Sequence, residues 1–185
     1  MKTCVIMQPT YLPWLGYFDL IKKADNFVFL DHVQFSKQSW QQRNNIFDKN
    51  GKLMLTIPVL KESAKNKPIN NVIIDRVKKP LIKHLKSIHD NYSKAKNFDV
   101  VYGELENIYK KNFNRLMDLN VDLIKYGCIK LRIEFKYSFS SDLDIKNRRV
   151  DGIIEICKKL NCDQYLSPVG AKDYIEKNSL FSKNN

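Results

Sequence analysis

The residues from Cys4 to Ala24 constrain the fold of this chain more than any others. Cys4-Val5-Ile6 is a short apolar run, the block Met7-Gln8-Pro9-Thr10-Tyr11-Leu12-Pro13-Trp14-Leu15-Gly16-Tyr17-Phe18 follows it, and Phe18, Leu20, Ile21 and Ala24 then recur at helical spacing. The two prolines fix φ and remove two backbone donors, so this block is neither helix interior nor central strand. The segment predicts a β-loop-α unit, and the carboxyl end of such a strand faces the crevice where open α/β sheets bind ligands. Tyr11, Trp14 and Tyr17 carry polar tips that an ordinary core position does not need. The block is therefore either a rigid lid on the sheet or one wall of a binding site, with Gln8, Pro9 and Gly16 in the same loop.

Strand and helix patterns alternate along the rest of the chain. Phe27-Val28-Phe29-Leu30, closed by Asp31, predicts a second, central strand. Asn44-Asn45-Ile46-Phe47 and Leu53-Met54-Leu55-Thr56-Ile57 flank Asp48-Lys49-Asn50-Gly51, where Asn50-Gly51 predicts a hairpin turn. Val72-Ile73-Ile74 reads as a further strand. Three helices follow from the stripes Leu81, Leu85, Ile88, Tyr92, then Phe98, Val101, Leu105, Ile108, then Leu116, Leu119, Leu123, all taken as core faces rather than cofactor boxes. Gly127 is expected to end the last of them, and Leu131-Arg132-Ile133-Glu134-Phe135 alternates as a strand. Val150, Ile153, Ile154, Cys157 and Leu160 predict another helix and Gln164-Tyr165-Leu166 a short strand, before a turn into a final helix through Tyr174 and Ile175. The expected class is α/β: a Rossmann-like, mostly parallel sheet flanked by helices, with a β-hairpin insertion. A length of 185 residues with 43% hydrophobic content supports one well-buried core, so residues 1–185 are read as a single domain.

Charge narrows the partners. The net charge is +12, but the lysines are spread as pairs such as Lys22-Lys23, Lys78-Lys79, Lys110-Lys111 and Lys158-Lys159. No dense basic block or basic-aromatic ladder is present, so no specific DNA partner is expected, while the positive field favours phosphorylated or nucleotide-linked substrates. No apolar stretch reaches the length of a signal core or a membrane span, which predicts a cytoplasmic protein without a transmembrane segment. Cys4, Cys128, Cys157 and Cys162 are scattered, and His84 and His89 lie five apart, so neither a disulfide framework nor a metal site is expected.

Polar clusters fall at three strand ends. After the second strand come Asp31, His32, Gln34, Ser36, Lys37, Trp40, Gln41, Arg43 and Asn44, a density of hydrogen-bonding groups that reads as a site. Ser138, Ser140, Ser141 and Asp142 read as a helix N-cap and its approach, or as a further site contribution from Ser140. Ser167 and Gly170, with Lys172 beyond, form a turn whose free backbone N–H groups suit a phosphate or carboxylate. His84, beside an apolar stripe, reads as a core histidine with satisfied nitrogens. Asp31 and Arg43 are expected to matter more for activity than for stability, and Leu81, Leu85 and Leu123 the reverse.

The block at 7–18, together with Phe29-Leu30-Asp31-His32-Val33-Gln34-Phe35-Ser36-Lys37-Gln38-Ser39-Trp40-Gln41-Gln42-Arg43-Asn44 and Tyr165-Leu166-Ser167-Pro168-Val169-Gly170-Ala171-Lys172-Asp173-Tyr174, closely resembles the WbqC-like protein family. The likeness spans nearly the whole chain. It implies a bacterial protein from gene clusters for O-antigen or other surface polysaccharides, and a transferase that adds glycine or another acyl group to an amino sugar. The family pattern carries an acidic residue where His32 stands and a glycine where Pro168 stands. Its members continue past the last helix, which implies that a C-terminal segment is lacking here. A looser resemblance links the N-terminal β-loop-α to nucleotidylyltransferases, with Trp14 and Tyr17 at the positions of two phosphate-contacting histidines. An indole cannot supply a histidine's cationic donor, so that likeness supports a nucleotide-binding crevice more than nucleotidyl transfer.

Two classes of function remain. In the first, a sugar amine attacks an activated acyl or glycyl group. Asp31 or His32 is the base, Arg43, Gln34 and Asn44 orient or stabilise the carbonyl oxygen, and Tyr11, Trp14 and Trp40 stack on sugar or base. The wider substrate-binding set is Gln8, Pro9, Gly16, Tyr17, Lys37, Ser140, Ser167, Gly170 and Lys172. ATP or an activated aminoacyl donor would supply the acyl group, and tRNA would enter only as such a donor. In the second class the chain is a noncatalytic module that binds a nucleotide-linked sugar; a nucleotidylyltransferase-related enzyme is the third possibility.

Overall fold

In the computed structural model, residues 1–147 and 149–168 are described. They run β1 (Thr3–Met7), α1 (Leu15–Lys23), β2 (Asn26–Phe29), β3 (Arg43–Asp48), β4 (Gly51–Thr56), a single turn α2 (Lys61–Ala64), α3 (Pro80–Tyr92), α4 (Phe98–Lys110), α5 (Leu116–Lys130), β5 (Tyr137–Phe139), α6 (Arg149–Lys159) and β6 (Gln164–Leu166). These elements form a mixed α/β fold in two compact units. One comprises Met1–Gln8, Trp14–His32 and the chain from Gly127 on; the other comprises Pro9–Pro13 and Val33–Tyr126.

The first unit is built on a four-stranded sheet in the order β5-β2-β1-β6. Every neighbouring pair is parallel, with Val5 opposite Phe27 and Leu166, and Phe27 opposite Tyr137. Apolar side chains alternate across it because successive residues of a strand point to opposite faces. Cys4, Ile6 and Val28 share one face with the buried Ile156 of α6, where Ile153, Cys157 and Leu160 add to the same cluster. The opposite face is aromatic: Phe27 meets Tyr17 of α1 at 5.8 Å between ring centroids and Phe29 at 5.2 Å, and Phe29 stacks on Phe139 at 5.6 Å. Burial on both faces explains why β1 and β2 are continuous apolar runs. The carboxyl ends of the four strands lead to Gln8, Asp31 with His32, Ser140, and Ser167.

Two expectations for this unit are corrected. Residues 131–135 form a turn and loop rather than a strand; pairing with β2 begins only at Tyr137. Their alternation came from side-chain packing, since Phe135 stacks on Tyr137 at 4.9 Å and meets Phe27 at 5.5 Å edge-on. Gly127 does not end its helix, which continues to Lys130. A Cβ there would lie 2.4 Å from the end of the Phe18 ring, so the missing side chain permits a close approach instead.

The second unit holds an antiparallel hairpin, with β3 and β4 in register from Arg43 opposite Thr56 to Asp48 opposite Gly51. Lys49 and Asn50 make the connection and Gly51 takes φ +120°, so the tight turn sits one residue earlier than the Asn50-Gly51 signal placed it. The three helices form as their stripes predict, burying Ile88, Leu105, Ile108, Leu116, Leu119 and Leu123. Leu81 and Leu85, however, are only half-buried. Residues 72–74 are not a strand. Ile73 and Ile74 make isolated bridges to Arg115 and Val59, and the Leu116 and Ile74 amides donate to the carbonyls of Val72 and Asn114.

Candidate functional site

In the first unit the structure brings together Asp31, His32 and Ser140. Asp31 follows the end of the apolar strand β2, and Ser140 follows β5, its parallel neighbour, so both reach the same sheet edge. The Asp31 carboxylate is buried yet well solvated by the protein. The hydroxyls of Ser140 and Ser141 donate to it at 2.9 and 2.7 Å, and the Ser141 amide at 2.9 Å. The Ser140 oxygen in turn accepts the Asp31 amide at 3.1 Å and lies 2.6 Å from His32 Nδ1. With the Ser140 proton directed at the carboxylate, Nδ1 must carry the hydrogen that it donates to Ser140. That assignment leaves Nε2 of the half-exposed His32 as the basic nitrogen. Asp31, Ser140 and His32 thus form a directed chain in which a carboxylate orients an imidazole through a hydroxyl. Ser141 was read from sequence as part of a helix cap. Here the serines open a short 3-10 turn at Ser140–Leu143 that has no side-chain cap, and they serve Asp31 instead.

The other predicted residues of this unit differ in what they can do. Tyr17 is fully buried, donates its hydroxyl to the Gln8 carbonyl at 3.0 Å, and is held well above the usual tyrosine range by burial. Trp14 is 60% exposed. Its indole lies across Gly16, where an added Cβ would meet the ring, so the glycine is what lets the indole cover the first turn of α1. Ser167 is half-buried at the end of β6. Gly170 and Lys172 lie outside the described residues.

In the second unit the loop Pro9–Pro13 and the segment ending at Asn44 are tied together. The Tyr11 amide donates to the Trp40 carbonyl at 2.9 Å, and Asn44 Nδ2 donates to the carbonyls of Tyr11 at 3.3 Å and Leu12 at 2.7 Å. Buried Asn120, which the sequence did not flag, donates to the carbonyls of Pro9 at 3.1 Å and Gln41 at 2.7 Å. Leu12 is held at φ +45° directly before Pro13, a backbone that costs about 1–2 kcal/mol in a residue with a Cβ. The Asn44 contact helps to hold it there. Much of the polar density at 36–44 is likewise structural: Gln41 accepts the Ser36 amide, while Gln42 accepts the Gln38 amide and donates to the Ile57 carbonyl. Trp40 is 55% exposed, Lys37 and Gln34 are exposed, and half-buried Arg43 pairs with no carboxylate among the described residues.

Tyr11 itself is fully buried. Its hydroxyl lies 2.8 Å from His84 Nδ1 and 2.5 Å from the Tyr109 hydroxyl. His84 also engages the Thr56 backbone, and burial lowers its pKa to about 4, so the ring is neutral at pH 7. With the other ring nitrogen donating to Thr56, Nδ1 accepts from Tyr11, which receives the Tyr109 proton. Burial pushes Tyr109 up to about 12 and Tyr11 well above 10. This trio is a satisfied core network, as expected of His84. Among the described residues no cluster of three or more His, Cys, Asp and Glu is placed to hold a metal ion, and no helix is long and apolar enough to cross a membrane.

No solved structure matches this chain. A curated relative, Uncharacterized protein Rv1507c of Mycobacterium tuberculosis (strain ATCC 25618 / H37Rv), is 29% identical over 177 residues, covering 95% of this chain and 76% of its own length. The WbqC-like protein family matches residues 8–185, a span that takes in both the Asp31-Ser140-His32 chain and the Pro9–Pro13 loop, and the chain belongs to that family.

Proposed function

We propose that this protein is a transferase of bacterial surface polysaccharide biosynthesis that places a glycyl or other acyl group on the amine of a nucleotide-linked amino sugar. The observation that carries this reading is the Asp31-Ser140-His32 chain at the carboxyl edge of a parallel sheet, the edge at which open α/β sheets bind ligands. In the proposed step the amine attacks the acyl carbonyl, the C–N bond forms, and the bond to the activating group breaks. His32 Nε2 takes the amine proton, and Asp31 supports the resulting imidazolium through Ser140. Asp31 is thus an orienting residue rather than the base. Within the second unit, Arg43 offers a five-donor fork and Lys37 a point charge, groups suited to a phosphate. Trp14 in the first unit and Trp40 in the second each offer an exposed ring on which a sugar or base could stack. Asn44, Tyr11 and Tyr17 are engaged internally and act by positioning.

Counting the parallel strands among themselves gives the order 3-2-1-4, which supports a Rossmann-like reading with a nucleotide where the order reverses, between β1 and β6. Ser167, at the end of β6, would meet a phosphate there. The chain passes four times between its two units, which supports its acting as one domain. We place its work in the cytoplasm, where activated acyl donors and nucleotide sugars are made. A noncatalytic nucleotide-sugar module is favoured by the two exposed tryptophans alone. Nucleotidyl transfer is disfavoured, because the Tyr17 hydroxyl is committed to Gln8.

The test is incubation of the protein with a nucleotide-linked amino sugar, radiolabelled glycine and ATP, with and without tRNA. Label on the sugar with wild type, lost in His32→Gln while sugar-nucleotide binding persists, supports the transferase. Binding without transfer from any donor assigns the module reading, and no binding discards both.

A further inference from the structure

Apart from the residues assigned to transfer, the second unit contains a cleft of about 760 Å³ between α3 and α4, closed by the segment that carries Ile74 and by Phe113. That volume lies within the range of small-ligand sites, roughly 300–1,000 Å³. Its walls are apolar: Leu81, Ile82 and Leu85 line it from α3, and Tyr102 and Tyr109 from α4. The leucines that the sequence assigned to a core stripe are therefore the walls of this space. Ile82, one of these wall residues, is 64% exposed.

Cations stand around this apolar space in excess. Arg76, Lys79, Lys86 and Lys110 line it against the carboxylates of Asp90 and Glu106. Glu106 is taken by Lys110 at 2.9 Å, and Asp90 lies 3.6 Å from His89 Nδ1. Arg76, Lys79 and Lys86 pair with no carboxylate among the described residues. Lys79 sits in the left-handed region at φ +47°, immediately before Pro80 at the start of the thirteen-residue helix α3, so it shares the positive end of that helix. Arg76 spends one N–H on the Phe113 carbonyl at 3.3 Å and keeps the rest of its fork.

We infer that this cleft binds a single-chain amphipathic phosphate, its hydrocarbon chain lying along Leu81, Leu85 and Tyr102 and its headgroup meeting Arg76, Lys79 and Lys86. An apolar wall explains the chain, and the unpaired cations explain the headgroup. Either feature alone would fit a neutral lipid or an inorganic anion. This site is independent of the proposed acyl transfer, since it uses none of its residues.

The probe is decyl phosphate, with decyl maltoside as the neutral-head control and inorganic phosphate as the chain-free control, each titrated calorimetrically below its micellar concentration. Decyl phosphate should bind stoichiometrically and more tightly than either control. The double variant Lys79→Gln/Lys86→Gln should weaken it about tenfold or more, the loss expected of charge-assisted contacts beside an apolar wall, while leaving decyl maltoside unchanged. Leu85→Trp, which fills the cleft, should weaken both alkyl ligands. Its fold is checked by circular dichroism and, should it not fold, Leu85→Gln replaces it. Equal binding of the phosphate and the maltoside, tight binding of inorganic phosphate alone, or indifference to the lysine variants would overturn the assignment.

Discussion

Acid should weaken this protein between pH 6.5 and pH 4 through one residue, His84. Its side chain is only 6% exposed, held between Tyr11 and the Thr56 backbone, and its pKa falls from 6.5 to about 4 because burial opposes the charged form. The sign follows from proton counting. Above pH 6.5 both folded and unfolded chains hold a neutral ring, so His84 imposes no pH dependence. As pH falls through 6.5 the unfolded chain binds a proton that the folded protein refuses until about pH 4, so stability declines across this window and levels off below it. A shift of this size corresponds to about 3 kcal/mol at the low end, a large share of a total near 5–15 kcal/mol. Urea unfolding at pH 7, 5.5 and 4.5 measures it, with His84→Gln as the control, because an amide can accept from Tyr11 and donate to Thr56 without titrating. The variant should lose much less stability on acidification than the wild type. Glu155, whose carboxyl is lowered to about 2 chiefly by the Asn147 amide, loses its contribution only as pH falls below 4.5 toward 2 and so falls outside most of the window. Parallel pH profiles for wild type and His84→Gln would refute the reasoning.

Four further substitutions separate packing from chemistry. Gly127→Ala forces a Cβ to within 2.4 Å of the Phe18 ring and should cost about 1–3 kcal/mol in chemical unfolding. Leu119→Ala, at a fully buried position, should cost about 2–5 kcal/mol, whereas Leu85→Ala on the wall of the cleft should cost clearly less when melted alongside it. Asp31→Asn replaces an acceptor of three donors with a group that presents a donor to one of them, so a loss of about 2 kcal/mol or more is expected in thermal and urea melts. An unchanged melting temperature for that variant would mean that the serines do not hold the carboxylate as described.

What the sequence made legible followed from periodicity. Cys4-Val5-Ile6 and Phe27-Val28-Phe29 are too short and too apolar for anything but strands buried on both faces, and the three helical stripes each had the spacing of a helix. The failures have a shared cause, which is that one-dimensional pattern reports apolar side chains and not what covers them. Phe135 is apolar because aromatic rings of the first unit stack around it, not because its backbone pairs. Leu81 and Leu85 keep helical spacing and yet face a cleft. Gly127 carried the signature of a helix end, but its meaning lay in a phenylalanine more than a hundred residues away.

The polar stretch from Asp31 to Asn44 shows the same limit for a site. Density of hydrogen-bonding residues marks a place where the backbone departs from regular ladders, and such a backbone must first satisfy itself. Gln41, Gln42 and Asn44 do this work, each bonding to main-chain groups within the second unit. What distinguishes His32 from them is direction rather than density. Its Nδ1 hydrogen is committed through Ser140 to a buried carboxylate, so its remaining nitrogen is defined as an acceptor at a half-exposed position. No count of polar residues in the sequence could have separated it from its neighbours, because the residue that gives it direction, Ser140, arrives from a strand 108 positions later in the chain. The parallel pairing of β2 with β5 is therefore the structural fact on which the candidate chemistry depends. A variant that loosens β5 without touching the site, such as Phe139→Ala, should remove more of His32's reactivity toward an imidazole-directed acylating reagent than its cost in stability accounts for.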